Sequence, residues 1–568
     1  MTRAGSDSTK PFGSTCVDEG FRLSLRRPEQ LAKLPPCQAS CPGHGDIRGW
    51  LGVIAQREKL GLTLESAYTR AWQMLVTRNP LPATMGRVCP HPCEAGCNRR
   101  DKDGAVAINA LERFLGDWAL ERRLPLPRAG RETHAESIGV IGSGPAGLSF
   151  AYQMARRGYP VSVYEKHTKP GGMLTYGIPE YRLPESIIGV EIQRILDLGV
   201  RLELATAVGT DVSVAELHRR HALLFVGIGA QKGRLLEIPG EDGPGVWAGT
   251  TYLELLNTEQ PVELGNRVAV VGGGNTAIDA ARAARRQGAK VTLLYRRSRN
   301  EMPAIANEID DAIEEHVRIE YLAAPVAILR EGSAVRAVRV QKMELGEPDE
   351  TGRRRPVPIA GGVYEIPADS VIAAISQEPD WEGLESMRPN GSSSPKCGDT
   401  WHDRDLLAGG DVLGLGIASL AISQGCMAAE AANARLRGLP APQADEREPI
   451  SCAGIRTDYY APASPVSPPR RPAEEWLTRP NEEIVGALDE EQFLKEVGRC
   501  FSCGACFGCQ HCLMYCNPRG YSCVAEPRPG AYFALSLDSC EGCGKCIELC
   551  PCGFLGLSGD YQTPGNSR

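Results

Sequence analysis

Residues 136–166 read ESIGVIGSGPAGLSFAYQMARRGYPVSVYEK, and this stretch decides the fold class. A buried strand over Ser137–Ile141 is followed by Gly142, Gly144 and Gly147 in the G-x-G-x-x-G spacing, then by a helix and a second strand ending in Glu165. The first glycine permits the turn, the second admits a pyrophosphate, and the third lets the helix pack on the strand. This pattern predicts a parallel βαβ unit that binds a dinucleotide, with Glu165 at the ribose, rather than an ordinary glycine turn.

Residues 266–304, NRVAVVGGGNTAIDAARAARRQGAKVTLLYRRSRNEMPA, repeat the unit. Here the dinucleotide would meet the turn and the start of the following helix, at Gly272, Gly274, Asn275, Thr276 and Ala277. The position equivalent to Glu165 is Tyr295, and Arg296 and Arg297 follow it. Two guanidinium groups in place of an acid suit a 2′-phosphate, which predicts NADP(H), with NAD(H) as the alternative. The competing interpretation of the arginines is a solvated surface pair.

The composition excludes several classes of protein. The chain has 568 residues and a formal net charge of −7, so it carries no basic surface for nucleic acid. The sequence has no run of 18 apolar residues, so no membrane span is predicted. The N-terminus lacks the apolar core of a signal peptide, so we expect a cytoplasmic protein. Of the 21 cysteines, 18 cluster at the two ends, which in a reducing compartment predicts metal or iron–sulfur ligation rather than disulfides.

The C-terminal cysteines have ferredoxin spacing. Residues 540–551 contain the full C-x2-C-x2-C-x3-C-P motif, and residues 506–516 repeat its cysteines without the proline in place. In this motif the fourth cysteine binds the other cluster. One [4Fe–4S] cluster is therefore expected on Cys506, Cys509, Cys512 and Cys550, and another on Cys540, Cys543, Cys546 and Cys516. Zinc is the competing metal, because C-x2-C pairs also bind it.

A segment between the two glycine motifs resembles that of a known family. The segment PGGMLTYGIPEYRLP, residues 170–184, closely resembles the flavin-contacting loop of glutamate synthase small subunits and their relatives. These relatives include the NADPH half of dihydropyrimidine dehydrogenase and the large subunit of the bifurcating NADH-dependent ferredoxin:NADP oxidoreductase. With the two glycine motifs, the resemblance covers about residues 36–434. It implies an NAD(P) domain inserted into an FAD domain.

The resemblance also implies the residues that bind FAD. Asp411, in AGGDVLGLGIASLAISQG, would bond the ribityl chain, and the helix from about Ile417 would point its N-terminus at the isoalloxazine. As a simpler alternative, Asp411 is a helix-start acid. The expected FAD residues are Gly142, Gly144, Pro145, Ala146, Gly147, Glu165, Gly172, Leu174, Arg182, Gly410, Asp411, Ile417 and Ala418.

The N-terminal cysteines match the family only in part. Glutamate synthase small subunits carry two clusters here and begin with an extra C-x2-C pair that this chain lacks. The resemblance implies that the retained cluster uses Cys41, Cys89, Cys93 and Glu112. Cys37 and Cys97 are then not assigned to any cluster. One all-cysteine cluster drawn from the five cysteines is the simpler alternative, with Glu112 then an ordinary helix residue.

Two further cysteines, Cys500 and Cys503 in GRCFSCGAC, precede the ferredoxin motif and resemble the missing pair. They predict one more [4Fe–4S] cluster, shared with Cys37 and Cys97; the alternative is that they are free thiols or an extra turn of the ferredoxin unit. We therefore expect at least three clusters and at most four.

The expected fold class is α/β, with two Rossmann-like domains between an N-terminal helical iron–sulfur domain and a C-terminal bacterial-ferredoxin-like α+β domain. The expected boundaries are 1–130 for the helical domain, 131–265 with 366–436 for the FAD domain, 266–365 for the NAD(P) domain, 437–489 for a Pro-rich connector and 490–568 for the ferredoxin domain. The strand-like run from Val371 is expected to return to the FAD domain. The ferredoxin unit is expected to fold separately.

The expected function is electron transfer by an NAD(P)H:acceptor oxidoreductase subunit. FAD would convert the hydride pair into single electrons for the clusters. The partner would be a ferredoxin or a redox enzyme, such as a 2-oxoacid oxidoreductase or dissimilatory sulfite reductase, in a hetero-oligomeric complex without nucleic acid or membrane. The alternatives are a thioredoxin-reductase-type disulfide reductase, disfavoured because no cysteine occurs from Asn98 to Lys396, and a non-enzymatic iron–sulfur scaffold.

Overall fold

The computed structural model describes residues 27–350, 352–388, 401–403, 405–443, 445 and 447–557. The N-terminal region is helical, as its apolar spacing predicts, with Trp50, Leu51 and Ile54 buried. Its helices are α1 (Pro36–Ser40), α2 (Ile47–Ala55), α3 (Leu64–Val76), α4 (Pro82–Val88), α5 (Pro92–Ala95), α6 (Arg100–Asp103) and α7 (Ile108–Glu121). Helices α4 and α7 approach so closely that a Cβ on Gly86 would lie 2.4 Å from Arg113 Cα. Glycine at this position therefore permits the contact.

The first dinucleotide motif lies in a largely parallel sheet. Its strands are β2 (Ile138–Ile141), β3 (Val161–Tyr164), β4 (Arg201–Glu203), β5 (Leu223–Val226), β16 (Trp401–Asp403) and β17 (Leu406–Ala408), in the order β16-β17-β5-β2-β3-β4. Its helices are α8 (Pro145–Arg156), α9 (Met173–Tyr176), α10 (Glu185–Leu196), α11 (Val214–Arg220) and α15 (Ala418–Arg437). Gly142, Glu165, Gly227 and Gly410 follow strands β2, β3, β5 and β17, so the carboxyl edge of this sheet carries the candidate ligands.

The second dinucleotide motif lies in a parallel sheet of its own. The strands are β7 (Val246–Ala248), β8 (Arg267–Val271), β9 (Lys290–Tyr295), β10 (Arg318–Tyr321) and β14 (Ser370–Ala373), in the order β10-β9-β8-β14-β7. Helices α12 (Gly249–Asn257), α13 (Asn275–Arg286) and α14 (Ala306–Glu314) belong to it. The antiparallel strands β11 (Ala323–Glu331), β12 (Ala334–Pro348) and β13 (Arg354–Pro367) form a neighbouring sheet.

The expected domain boundary differs from the structure at two strands. The run from Val371 forms β14, which pairs with β8 and β7 in the second sheet instead of returning to the first. Strand β7 also lies in this sheet, although residues 131–265 were expected to be FAD domain. An apolar run predicts a buried strand but carries no signal for which sheet buries it. Two short strands, β6 (Lys232–Gly233) and β15 (Gln377–Glu378), pair where the chain passes between the two units.

The Pro-rich stretch before Asp489 was expected to be an extended connector. Its described residues form single 3₁₀ turns at Cys452–Gly454, Thr457–Tyr459 and Ala473–Glu475 and take part in two isolated β-bridges, Leu34 with Pro449 and Arg470 with Val485. It is nevertheless packed against the body, since the Trp476 side chain is 2% exposed and shares a cluster with Tyr181. Proline prevents helices and central strands, but it does not prevent burial.

The cysteine-rich tail contains α16 (Glu490–Val497), α17 (His511–Met514), β18 (Tyr521–Arg528), β19 (Ala531–Leu535), α18 (Lys545–Glu548) and β20 (Leu555–Leu557). It differs from the separately folding unit expected from sequence. Strand β20 pairs with β1 (Pro28–Gln30), and Phe493 of α16 stacks on Phe114 of α7 with ring centroids 4.0 Å apart. The two ends of the chain therefore share one core. None of the helices in the described part of the chain is long and apolar enough to cross a bilayer.

Candidate functional site

The first glycine turn is built for a close approach of backbone to ligand. A Cβ on Gly147 would lie 2.0 Å from the Gly142 carbonyl oxygen, so only glycine lets α8 pack this close to β2. A Cβ on Gly142 would lie 2.5 Å from the Gly227 carbonyl oxygen, and its φ of +93° also requires glycine. Gly144, in contrast, has its nearest neighbour at 3.9 Å and faces open space. The free amides at the start of α8 border that space and suit a pyrophosphate.

A cavity of about 360 Å³ opens from this turn. All of the expected FAD residues line it except Gly147, whose place is in the helix–strand contact. The lining therefore includes Gly142, Gly144, Pro145, Ala146, Glu165, Gly172, Leu174, Arg182, Gly410, Asp411, Ile417 and Ala418. Residues from six separate stretches of the chain thus meet at one site, and the cradle fits a flavin dinucleotide.

Two of the carboxylates that line this cavity, Glu165 and Asp411, are expected FAD residues. Glu165 accepts hydrogen bonds from the Ser143 amide at 2.9 Å and from the His167 amide at 2.9 Å, which orient its oxygens at the end of β3. Asp411 accepts one from the Gly416 amide at 3.0 Å. Burial raises the pKa of Asp411 to about 6, and the Gly416 hydrogen bond opposes that shift. Asp411 has spare acceptor capacity toward the cavity, which suits a hydroxyl-bearing ligand.

Sequence reasoning missed part of this lining. Gly227 and Gly229, which follow β5, border the cavity, and so does Gln231. The Gln231 amide oxygen lies 3.0 Å from His167 Nε2. The run LLFVGIG was a usable signal, because glycines after a buried strand mark the carboxyl edge of a parallel sheet. Among the described residues that line the cavity, none is a cysteine.

Arg182 has a role that its expected assignment did not include. Its guanidinium bonds both carboxylate oxygens of Asp279, at 2.7 and 2.8 Å, and its Nε lies 3.2 Å from Glu308. Asp279 belongs to α13, the helix of the second glycine motif. The loop over the first cradle is therefore tied to the second domain by a buried ion pair. Asn275 and Thr276 at the start of α13 line the same cavity, so the two dinucleotide sites open toward each other.

The second cradle repeats the first. A Cβ on Gly272 would lie 2.2 Å from the Ala374 carbonyl oxygen, whereas Gly274 has nothing within 4 Å. Ala277 is fully buried, in the packing position of the motif. The motif therefore presents free helix amides to open space, as a dinucleotide requires.

The two arginines after β9 are not equivalent. Arg296 is exposed, but Arg297 is buried to 7% exposure. Arg297 donates from Nε to the Arg354 carbonyl oxygen at 2.8 Å and pairs with Asp349 at 2.7 Å. The structure thus leaves Arg296 facing solvent at the ribose end of the strand and engages Arg297 in protein contacts.

Three N-terminal cysteines meet a carboxylate beside the first cavity. Burial, the Glu112 carboxylate and the Cys41 thiol raise the pKa of Cys89 to about 11. Burial, Cys41 and Glu112 likewise raise the pKa of Cys93. Glu112 accepts a hydrogen bond from the Asn79 amide at 2.7 Å, and burial raises its pKa to about 7. The four side chains implied by the resemblance therefore lie together, and one of them is not a thiol.

This group adjoins the cavity of the first cradle. Val88 and Pro90, on either side of Cys89, line the cavity. The Cys89 Sγ lies 3.6 Å from the hydroxyl of Ser419, in the first turn of α15. Helix α15 points its N-terminus into the cavity, so it contacts both sites.

Cys37, Cys97, Cys500 and Cys503 form a second group. All four line a smaller cavity between the N-terminal helices and the tail, with Arg48 and Asn98 in its wall. Burial and the thiols of Cys500, Cys503 and Cys97 raise the pKa of Cys37. The tail cysteines that the ferredoxin motif does not use therefore face the two N-terminal cysteines left over.

The ferredoxin cysteines fall into two groups. Burial and the thiols of Cys506, Cys509 and Cys550 raise the pKa of Cys512, so these four lie together. Cys540 and Cys543 lie beside Cys546. Burial and the thiols of Cys546, Cys512 and Cys516 raise the pKa of Tyr521, whose hydroxyl contacts Cys546. Tyr521 thus lies near cysteines of both groups and near Cys516.

The cysteines of the described ranges are available as ligands. Every cysteine in the described ranges is free of disulfide bonds. In the same ranges, no three His, Cys, Asp or Glu side chains converge as the ligands of a single metal ion do. A Zn²⁺ ion would draw its thiolates to about 2.3 Å from one centre. Iron–sulfur clusters hold their thiolates farther apart, around a polynuclear core.

Comparisons with known proteins identify two families along the chain. A family model described as pyridine nucleotide-disulphide oxidoreductase matches residues 136–426, and one described as dihydropyrimidine dehydrogenase domain II, 4Fe-4S cluster, matches residues 30–124. The NADP(+)-dependent formate dehydrogenase subunit beta of Moorella thermoacetica is 35% identical over 510 residues, which cover 82% of this chain and 70% of that protein.

Two further relatives show how the match varies along the chain. The NADPH-Fe(3+) oxidoreductase subunit beta of Geobacter sulfurreducens is 38% identical over 66% of this chain, which spans only 56% of that protein. The glutamate synthase [NADPH] small chain of Escherichia coli is 33% identical over 70% of this chain and 87% of its own length. The chain belongs to the pyridine nucleotide-disulphide oxidoreductase family, among the iron–sulfur flavoproteins related to the glutamate synthase small chain.

Proposed function

We propose that this protein is the electron-transfer subunit of an NADPH:acceptor oxidoreductase, with FAD in the large cavity and [4Fe–4S] clusters on the cysteine groups. When bound, FAD exchanges two electrons with a nicotinamide as hydride, and each cluster exchanges one electron. The observation that carries the proposal is the position of α15. Its first turn lines the flavin cavity and contacts Cys89, which belongs to the nearest cysteine group.

The chain's own residues would bind and orient these groups. The amides at the start of α8 and α13 face the two phosphate positions, and Glu165 faces the ribose of the first dinucleotide. The Arg182–Asp279 ion pair holds the two domains at the shared cavity. Because both partners are buried, we expect this pair to fix the domains relative to each other rather than to act on the substrate.

We infer from the connectivity of the chain that the cysteine groups follow one another away from the flavin cavity. Cys41 and Cys37 lie at the end and the start of the single-turn helix α1, and they face different groups. Cys503 and Cys506 are separated by two residues and also face different groups. Cys543, in the outermost group, is exposed. We infer that the partner contacts this end of the tail.

The partner is proposed to be a catalytic redox subunit or a ferredoxin. The Moorella relative is by name the beta subunit of an NADP(+)-dependent formate dehydrogenase, so a formate-oxidising subunit joins the 2-oxoacid oxidoreductases and sulfite reductases as a candidate. Purification of the native complex, followed by mass spectrometry of the co-purifying chains, identifies the partner. Recovery of the chain alone at physiological concentration would contradict a stable complex.

Anaerobic reduction by NADPH tests the proposed function. We expect the flavin absorbance to bleach and the broad iron–sulfur absorbance to fall with it, because the sites are contiguous. Electron paramagnetic resonance should then show reduced clusters. A bleached flavin beside clusters that stay oxidised, also after addition of excess NADPH, would contradict the electron-transfer function.

Coenzyme choice is proposed to depend on Arg296. A guanidinium bonded to the 2′-phosphate contributes charge-assisted contacts. Arg296→Ala removes this group, so it should raise the KM for NADPH roughly tenfold with little change in the KM for NADH. Arg297→Ala should instead lower stability, because it removes contacts to Asp349 and to the Arg354 carbonyl. Arg318→Ala, on an exposed side chain of the same sheet, is the matched control. Equal KM values for the two coenzymes in the unmodified protein would overturn the assignment.

A further inference from the structure

The strongest unexplained feature is the cavity between the N-terminal helices and the tail. Two of its cysteines, Cys37 and Cys97, come from the N-terminal domain, and two, Cys500 and Cys503, come from the tail. None of the four is needed by the carboxylate–cysteine group or by the ferredoxin groups described above. The four thiols line one cavity without a disulfide between them, so they are available as ligands of one polynuclear centre.

The backbone around Cys500 has the shape of a cluster-binding turn. Within the tail, two runs of ferredoxin spacing have left-handed residues at matching positions: Gly508 and Gln510 (φ +71° and +70°), and Gly542 and Gly544 (φ +71° and +70°). The run Cys500-x2-Cys503-x2-Cys506 repeats this with Ser502 at φ +52° and Gly504 at φ +69°. A non-glycine residue in this region is strained, and such strain persists where a site requires it.

The hydrogen bonds to sulfur repeat as well. The Ser502 amide donates to Cys500 Sγ at 3.4 Å, as the Gly542 amide does to Cys540 Sγ at 3.4 Å. The Asn98 side-chain amide donates to Cys503 Sγ at 3.6 Å. Donors aimed at sulfur stabilise thiolates and tune the potential of iron–sulfur clusters.

The wall of the cavity also carries compensating positive charge. Arg48 lines it and donates to the Cys503 carbonyl oxygen at 2.6 Å and to the Lys33 carbonyl oxygen at 2.7 Å. Arg99 lines it too, held by Asp103 at 2.7 Å and placed over the Phe501 ring at 5.0 Å. Arg48 and Arg99 thus place positive charge beside the space that an anionic iron–sulfur cluster would occupy.

We propose that Cys37, Cys97, Cys500 and Cys503 are the four ligands of one composite [4Fe–4S] cluster that joins the N-terminal domain to the tail. The cluster is a covalent link between distant parts of the chain, and it fixes the tail beside the flavin domain. This proposal rests on the proposed function only in requiring that the chain carries clusters. Its test is iron content, whereas the proposed function is tested by NADPH reduction of the flavin, so either can fail alone.

Iron counting on the unmodified holoprotein is the first measurement. Four sites predict about 16 irons per chain, four for each cluster, and three sites predict about 12. Mössbauer spectroscopy of the same sample shows whether all of the iron is in [4Fe–4S] form. A fully loaded protein with about 12 irons would overturn the proposal, and this result needs no variant.

Variants from the two sides of the cavity provide the sharper test. Cys37→Ser with Cys97→Ser should lose about four irons, and Cys500→Ser with Cys503→Ser should lose the same four. All four changes together should again cost about four irons, because both pairs bind one cluster. Losses that add to about eight irons, or unchanged iron content in either double variant, would overturn the proposal.

The matched control is Cys452→Ser. Cys452 lies beside the same cavity, with its Sγ 3.7 Å from the Asn98 carbonyl oxygen, but it belongs to none of the groups. Its replacement should leave iron and flavin content unchanged. Flavin content and circular dichroism of the double variants distinguish loss of one cluster from failure to fold. If a variant fails to fold, the iron count of the unmodified protein decides the test.

Discussion

The two cysteine-rich ends of the chain assemble their sites in opposite ways. The ferredoxin end supplies eight cysteines in two runs of regular spacing, Cys506–Cys516 and Cys540–Cys550, and the structure brings seven of them into two groups within the tail. The N-terminal end supplies five cysteines between Cys37 and Cys97, and neither of its groups is made of these alone. One group includes Glu112, and the other includes two tail cysteines. Spacing identifies a complete ligand set only when one short segment provides all of it.

The contacts between the two ends explain how such distant residues meet. Arg99 and Arg499, which are 400 residues apart in sequence, are joined by a hydrogen bond from the Arg99 guanidinium to the Arg499 carbonyl oxygen. Glu496 accepts from the Ala107 amide at 2.8 Å, and Arg499 donates to the Ala105 carbonyl oxygen at 2.9 Å. These bonds satisfy buried polar groups on both sides, so the tail cannot leave without exposing them.

The largest effect is expected at Glu112, which tests whether the N-terminal end really departs from all-cysteine ligation. Glu112→Ala should lose about four irons per chain, because the adjacent group then keeps only three ligands. Glu121→Ala, on an exposed residue at the end of the same helix, is the matched control. Iron content and the cluster signals in electron paramagnetic resonance measure the outcome. Full iron content in Glu112→Ala would favour a fourth cysteine from the N-terminal set and remove the contrast between the two ends.

A smaller effect is expected from Phe493→Ala, which tests the packing between the ends. Phe493 is fully buried, stacks on Phe114 and meets Tyr68 edge-on at 5.3 Å. Truncation should cost about 3–5 kcal/mol through lost burial and a cavity. The midpoint temperature of thermal unfolding should fall. A protease should also cleave the chain just before the tail faster than it cleaves the unmodified protein.

Leu537→Ala is the control for this change, because Leu537 belongs to the ferredoxin end and is 40% exposed. Its effect should lie within about 0.5 kcal/mol. If Phe493→Ala unfolds at the same temperature as the control, the tail does not depend on the shared core.

The smallest effect is expected at Ser502, where the composite site has a serine and the ferredoxin turn has Gly542. A left-handed conformation destabilises a non-glycine residue by about 1–2 kcal/mol. Glycine avoids this strain, but it loses more conformational entropy on folding, which destabilises by about 0.5–1 kcal/mol. Ser502→Gly should therefore stabilise by at most about 1 kcal/mol, and Gly542→Ser should destabilise by a similar amount. Denaturant midpoints measure both changes. Shifts of the same sign would show that the two turns are not equivalent.

The sequence by itself determined every feature whose residues are close along the chain. The glycine turns at Gly142 and Gly272 specify their own geometry, because strand, turn and helix follow within one short segment. The spacing from Cys540 to Cys550 identifies the ferredoxin unit for the same reason. The family resemblance added the flavin residues around Asp411, and the structure places them in the same cavity as Gly142.

Tertiary structure decided what depends on contacts between distant segments. Arg297 looks free in sequence, but Asp349 and Arg354, from another part of the chain, engage its side chain. Strand β14 is apolar on both faces, so only the neighbouring strands choose its sheet. The Pro-rich stretch reads as a linker, yet Trp476 is buried against Tyr181. Cys37 and Cys500 share one cavity because helices α7 and α16 bury a common aromatic core, and no local pattern encodes that approach.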